Sequence, residues 1–285
     1  MSPPPIIALL TDFGLRENSV GVMRGVILSI APDARLVDIT HDVPPQDIVT
    51  GAWALATAWR YFPDGTIFLC VVDPGVGSAR LPIALRAGGR SFVGPDNGLC
   101  TPMLESGEPL AAVALTEPRY QRPNPAPTFH GRDIFAPAAA HLAAGVPLAA
   151  LGAPLATDHL ITLPFPRPAW QGDSLHGEVL HVDHYGNLIT NIGGDLAVAV
   201  LAAPASALWL GARVITARGR AFAEGAPGQP MLFLDSSGFL AIAVRDASAA
   251  DALAAGRGAS VRVENLTPQP PLPRGEGEPE PRPSG

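Results

Sequence analysis

The sequence predicts two domains: an α/β N-terminal domain with a layered, mostly parallel sheet, then a smaller all-β, barrel-like C-terminal domain. Three observations carry this expectation. Short apolar runs alternate with segments of helical spacing through the first half, the pattern of strands that helices cover on both faces. From about Gly145 to Gln171 that pattern breaks into a proline-rich stretch without period. Beyond it, short strand-like runs follow one another, separated by glycine-containing turns.

Taken in order, "IIALLT" reads as a buried strand ending in a polar corner, and "ENSVGVMRGVILSIAP" as a helix with Val22, Val26 and Ile30 on one face. "LVDIT" is a strand, "DIVTGAWALATAWRYF" a helix, and "GTIFLCVVD", "PIALRA" and "SFVG" are further strands. "RDIFAPAAAHLAAG" closes this half as a helix that Asp133 is placed to cap. After the break come "LHGEVLHVD", "GNLITNI", "ALWLG", "RVITARG", "PMLFLDSS", "GFLAIAVR" and "SVRVEN", with a single alanine-rich helix, "ASAADALAAG", among them. The expected boundaries are residues 1–150 for the α/β domain, 151–173 for a linker, 174–265 for the β domain and 266–285 for a disordered tail.

Composition narrows the function classes. Of 285 residues, 47% are hydrophobic and 16% charged, with a formal net charge of −7. Such a chain can bury one large core or two smaller ones but lacks the basic stripe that neutralises phosphates, so no nucleic-acid partner is expected. No apolar run is long enough for a membrane span, and the N-terminus lacks a signal peptide's basic flank, so a soluble, cytoplasmic protein is expected. Cys70 and Cys100 are too few for a disulfide framework and read as core thiols of a reducing compartment.

The polar corners carry the candidate chemistry. In a parallel sheet ligands bind beyond the carboxyl ends of the strands, where Asp12 and Asp73 stand. Asp73 opens "DPGVGSAR", which is equally ordinary turn chemistry. "TDFG" has no kinase catalytic loop to go with it, and Gly75 to Gly77 are too short for a dinucleotide fingerprint. His130, at the mouth of a helix, has no metal-ligand spacing around it, and taken alone it reads as structural. Asp183 and Asn187 flank a Tyr-Gly turn that a hairpin with side-chain-to-backbone bonds would explain, and Ser236 and Ser237 sit at a strand-joining turn.

Together, however, "TDFG", "DITHDVPPQDI", "VVDPGVGSAR", "FVGPDNG", "TFHGRDIFAPAAAHLA", "VDHYGNLITNI" and "SSGFLAIAV" closely resemble, in wording and order, the S-adenosyl-L-methionine hydroxide adenosyltransferase family, related to the fluorinating and chlorinating enzymes. The resemblance covers roughly residues 6–262. It implies that S-adenosyl-L-methionine is a substrate, not a cofactor, and is split by water into adenosine and L-methionine, with neither cofactor nor metal. It further implies that Asp73, Arg80 and His130 are the catalytic set, that Asp12 binds the ribose hydroxyls, and that Phe129 and Gly131 flank the ribose. Asp183 would bind the methionine amino group, and Ser236 and Ser237 its carboxylate. Asn187 would read the adenine edge, with Tyr185 stacking and the backbone near Val244 contributing. At Ser237 the halogenating relatives carry arginine. The family's sites lie between the first domain of one subunit and the second domain of its neighbour in a homotrimer, which is the assembly the resemblance implies here. Two rivals stand beside it: a halogenase on the same scaffold, and a protein that binds S-adenosyl-L-methionine or adenosine without turning it over.

Overall fold

The computed structural model describes residues 3–266 and residue 272. The chain forms two compact units that divide between Leu163 and Pro164.

The first unit contains β1 (Ile6–Thr11), α1 (Ser19–Ile30), β2 (Arg35–Thr40), α2 (Ile48–Ala58), β3 (Ile67–Val71), β4 (Pro82–Ala87), β5 (Arg90–Pro95), α3 (Thr101–Leu104), β6 (Leu110–Ala114), α4 (Ala136–Ala143) and β7 (Pro154–Leu155). These strands make a seven-stranded sheet in the order β2-β1-β3-β5-β4-β6-β7. Pairings from β2 to β5 are parallel, as expected, whereas those from β5 to β7 are antiparallel. The sheet is therefore mixed. The reason is local: Gly88 and Gly89 alone join β4 to β5, a connection that permits a hairpin but no crossover.

The continuous apolar runs behave as strands covered on both faces; every residue of β3 is buried. Ile7, Leu9, Leu69 and Val71 pack with Met23 and Ile27 of α1 and with Phe135 and the alanines of α4. The buried stripe of α1 is Val20, Met23, Val26 and Ile27; of the expected face Val26 is buried, while Val22 and Ile30 are half-buried, Ile30 packing against the same core. Asp133 does not cap a helix. It is buried in a π-helical turn, Gly131–Phe135, that runs into α4, where it accepts from Ala126 N and from Arg132. Thr11 lies opposite Val71, so Asp12 and Asp73 leave the sheet from the same end of neighbouring strands.

The second unit contains β8 (Ala169–Gln171), β9 (Ser174–Val182), β10 (Leu188–Gly193), α5 (Gly194–Ala202), β11 (Ala207–Leu210), β12 (Arg213–Ile215), β13 (Pro230–Leu234), β14 (Phe239–Val244), α6 (Ala249–Leu253) and β15 (Ser260–Glu264). Its antiparallel sheet runs β12-β11-β15-β9-β10-β14-β13, with β8 paired to β9. A bridge from Arg218 to Leu232 ties the β12 end to β13, leaving a nearly closed barrel. Leu188, Ile192, Leu232, Leu240, Ile242 and Val263 fill it.

Sequence reading missed α5. "GDLAVAVLA" is rich in valine and alanine, but Leu196, Ala197 and Val200 share one face and are the residues it buries. Within 151–173, read as a linker, Pro154–Leu155 pairs with β6 and Ala169–Gln171 with β9. Apart from residues 266 and 272, the tail expected at 266–285 lies outside the described residues.

Gly152 provides a stability test. It sits at φ 155°, and an added Cβ would lie 1.9 Å from the Ala114 carbonyl oxygen. Gly65, at φ +85°, has open space around it. Gly65→Ala should therefore cost only about 1 kcal/mol of backbone strain. Gly152→Ala should cost at least about 2 kcal/mol more. Urea unfolding of the two variants checks this, and equal losses would refute the clash.

Candidate active site

The first unit builds a polar corner at the end of β3. Asn97 Nδ2 donates to Val72 O at 2.8 Å and fixes the backbone just before Asp73. The chain then reverses through a tight turn, with Val76 N donating to Asp73 O and Ser78 N to Gly75 O. Glycine is required here. Gly77 stands at φ +78°, where a Cβ would approach Pro127 O to 2.7 Å, and a Cβ on Gly75 would lie 3.3 Å from Arg80 Cγ.

That reversal folds Arg80 back onto Asp73. Arg80 Nε donates to Asp73 Oδ1 at 2.9 Å, and Nη2 donates to Oδ2, a bidentate pair whose side chains are only 8% and 5% exposed. Nη2 also lies 2.8 Å from His130 Nδ1. A guanidinium has no acceptor, so Nδ1 accepts and the neutral imidazole carries its proton on Nε2. The guanidinium carbon lies 5.2 Å from the Phe135 ring centroid. Arg80 Nη1 is buried without a partner among the described residues. Burial, and then the charge of Arg80, depress the His130 pKa, while Asp73 and Asp133 oppose the shift. The ring is accordingly neutral at pH 7.

Asp12 joins this neighbourhood through its surroundings. Its Oδ2 accepts from Gln46 N at 2.8 Å. The next residue, Phe13, meets Phe129 edge-on at 5.9 Å. A Cβ at Gly131 would come within 3.4 Å of both rings and 3.3 Å of Met23 Sδ, so glycine fits this close approach. The structure thus joins Asp73, Arg80 and His130 by hydrogen bonds and packs Phe129 and Gly131 against Phe13, the residue after Asp12; Asn97 was not singled out from the sequence. The signal for Asn97 was its position two residues beyond a strand end, in "GPDNG".

Within the second unit, Asp183 Oδ1 accepts from Tyr185 N and Asn187 N at 2.9 and 2.8 Å, and Oδ2 accepts from Asn187 Nδ2 at 2.7 Å. This is the turn chemistry expected of that stretch, and it also orients the Asn187 amide. Tyr185 is 76% exposed. Together with Asn187, Val244, Phe222, Arg245 and Ala247 it borders a cleft of about 720 Å³. Ser236 and Ser237 lie exposed between β13 and β14. Their turn is shaped by Asp235, which accepts from Ser237 N at 3.0 Å and Phe239 N at 2.7 Å. Asp235 was not anticipated. Burial raises its pKa against the backbone donors, and the nearby charge of Asp183 adds to the rise.

Neither cysteine is a nucleophile at neutral pH. Both are buried and free, and burial pushes the Cys100 thiol up to about 12 and the Cys70 thiol upward as well. No group of three or more His, Cys, Asp or Glu side chains suited to a metal occurs among the described residues. No helix among them is long and apolar enough to cross a membrane.

Comparison with known proteins adds the family. Residues 7–152 match the SAM hydroxide adenosyltransferase N-terminal domain, and residues 177–262 match the C-terminal domain of the same family. The (R)-S-adenosyl-L-methionine hydrolase of Salinispora tropica is 41% identical over 267 residues, covering 92% of this chain and 99% of that protein. The fluorinase of an Actinoplanes species is 32% identical, covering 84% of this chain and 90% of that protein. A crystal structure of an uncharacterized conserved protein from Thermotoga maritima superposes with a TM-score of 0.83 at 35% identity, covering 90% of this chain and 99% of that one.

The depressed His130 pKa has a measurable consequence. The folded protein takes up this proton only below the ordinary imidazole value of about 6.5, where the unfolded chain takes it up. Stability contributed by the neutral ring is therefore lost as pH falls below that value. In an NMR titration the His130 midpoint should lie below 6.5 and move upward in Arg80→Met, which removes a repelling charge. A midpoint at or above the ordinary value would contradict the burial argument.

Proposed function

The chain belongs to the SAM hydroxide adenosyltransferase family, and on that premise we propose that it hydrolyses S-adenosyl-L-methionine to adenosine and L-methionine, with Asp73, Arg80 and His130 as its catalytic set. The hydrogen-bonded Asp73–Arg80–His130 set is the observation that carries the reading.

In the reaction, water oxygen bonds to the ribose C5′ as the C5′–S bond breaks. The bonding pair goes to sulfur, which leaves as a neutral thioether, and the water gives up a proton. Water, with a pKa of about 15.7, needs help at the moment of attack. A carboxylate has about four acceptor sites, and Arg80 engages Asp73 at one per oxygen, leaving sites for the attacking water. Arg80 Nη1, a buried donor without a partner among the described residues, suits an oxygen gaining negative charge. The set also carries little net charge: one carboxylate, one guanidinium and a neutral imidazole. A protonated His130 would instead add positive charge beside a sulfonium substrate.

Binding falls to the remaining residues. Asp12 would receive the ribose hydroxyls between Phe129 and Gly131. Because Asn187 Nδ2 is committed to Asp183, the amide oxygen is left to accept from the exocyclic amino group of adenine, with Tyr185 stacking beside the cleft and the backbone near Val244 at its wall. Asp183 would bind the methionine ammonium, and the Ser236–Ser237 turn its carboxylate. The substrate needs no accompanying cofactor or metal in this scheme. Assembly as a homotrimer, with sites shared between subunits, is part of the proposal, as is a cytoplasmic location, which the free cysteines suit. A halogenase is disfavoured because a carboxylate at Asp73 repels a halide. A pure binding protein would have no use for the Asp73–Arg80–His130 set.

The protein should release adenosine and methionine in equal amounts from S-adenosyl-L-methionine, measured by chromatography, and chelators should not change the rate. In Asp73→Asn the turnover number should fall by about 10²–10⁴-fold. Near-normal turnover would make Asp73 a turn residue only.

The shared site has its own test. Mixed assemblies of Asp73→Asn and Asp183→Ala chains should recover part of the activity that each lacks alone. A fully active monomer in sedimentation would overturn the shared site.

A further inference from the structure

Around Asp12 the structure shows a second layer of contacts that the proposed chemistry does not use. β1 and β2 pair in register up to Leu9 and Asp38, but Leu10 then faces Thr40, so Ile39 is an extra residue in β2. Such a bulge re-aims the side chains that follow it. Here it brings His41, whose side chain is 1% exposed, against the end of β1. His41 Nδ1 lies 2.8 Å from Thr11 Oγ1. Its backbone oxygen accepts from Gly14 N at 2.8 Å. His41 thus grips the chain on both sides of Asp12 and Phe13.

The polarity of these contacts is set from outside. His41 Nε2 lies 3.1 Å from Asp38 Oδ1, bent from the ideal N–H direction. Burial works against the charge on Asp38, but Arg24 and His41 outweigh it and hold the pKa below the usual carboxylate value. An ionised Asp38 cannot donate, so in the neutral ring the proton belongs on Nε2 and Nδ1 is the acceptor. Thr11 then donates its hydroxyl proton to Nδ1, and its oxygen accepts from Phe13 N at 3.3 Å. The row of contacts Arg24–Asp38–His41–Thr11 therefore converges on Asp38, toward which Arg24 donates from one side and His41 points its proton from the other, with Thr11 donating to His41. The row ends one residue before the Asp12 carboxylate.

We infer that His41 is a positioning residue for substrate binding: through Thr11 and Gly14 it fixes the corner that presents the Asp12 carboxylate to the ribose hydroxyls. The inference rests on the reading of Asp12 given above. Gln46 completes the corner. Its backbone is at φ +66°, a conformation a non-glycine residue rarely adopts, and that geometry aims its N–H at Asp12 Oδ2. One acceptor site of Asp12 is thereby used to orient it, and Oδ1 stays available for ribose. Thr11 has no accessible surface, so its hydroxyl acts only through the corner.

The test compares Thr11→Val, which keeps the shape and removes the hydroxyl, with Thr11→Ser, which restores it, and with Asp12→Ala as the full loss. Calorimetric titration with adenosine reads the affinity, and steady-state assays with S-adenosyl-L-methionine separate KM from kcat. Thr11→Val should weaken adenosine binding by about three- to tenfold, the loss of one ordinary hydrogen bond. KM should rise in proportion while kcat stays within about twofold, and Thr11→Ser should recover most of the affinity. His41→Phe should weaken binding at least as much as Thr11→Val. The inference is overturned if Thr11→Val binds adenosine like the unaltered protein, if Thr11→Ser restores nothing, or if kcat falls while KM holds. Those results would leave hydrolysis standing. If instead the unaltered protein neither binds adenosine nor consumes S-adenosyl-L-methionine, the proposed function itself fails and this inference with it.

Discussion

The bidentate pair between Arg80 and Asp73 is the interaction on which the first domain's polar end depends. Both side chains are almost wholly buried, and removing two charges from water costs several kcal/mol per ion before any attraction is counted. Such a pair persists only with near-ideal geometry and with support for most of its remaining polar atoms, which here leaves Arg80 Nη1 as the one donor of the pair without a partner among the described residues. The structure supplies that support from separate elements. The glycines of the corner allow Arg80 to fold back, Asn97 fixes the backbone before Asp73, Phe135 covers the guanidinium, and His130 accepts from Nη2. Replacing the pair with apolar residues would be the easier way to pack a core, so its presence points to a use outside stability.

In the proposed reaction the same arrangement would govern the chemistry. A site that meets a sulfonium must avoid net positive charge, and a site that activates water must hold an oxygen that turns negative. The paired carboxylate and guanidinium meet both needs. Burial and Arg80 keep His130 neutral, so the ring can take part in the hydrogen-bond chain without changing the balance. The cost of burying the ion pair and its proposed benefit to catalysis would thus have one cause: exclusion of water, which strengthens every charge interaction it leaves behind.

The second domain solves a different problem with local means. Its candidate binding groups lie on tight turns, and each turn is shaped by a carboxylate that accepts backbone N–H groups: Asp183 for the residues up to Asn187, Asp235 for the turn of Ser236 and Ser237. Carrying polar groups on turns between rigid strands leaves their side chains outside the barrel core, which is filled with leucine, isoleucine and valine.

The sequence alone settled the division into an α/β part and a barrel-like part, because the periodicity of apolar residues reflects which faces are covered and changes where the architecture changes. It also pointed to the candidate chemistry, through motifs from Asp12 to Ser237 that taken singly read as ordinary turns but in wording and order resemble one family. The antiparallel half of the first sheet, by contrast, follows from a hairpin joint whose consequences extend over several strands. α5 was hidden because valine and alanine serve either secondary structure, and burial against β13 and β14 decided between them. Side-chain partnerships were decided only by tertiary structure. Arg80 and His130 are 50 residues apart, Thr11 and His41 are 30 apart, and each pair meets because strand ends, a bulge and a glycine corner converge at one end of the sheet's strands. No local pattern encodes that convergence, since it depends on which strands become neighbours and on how the chain turns at their ends.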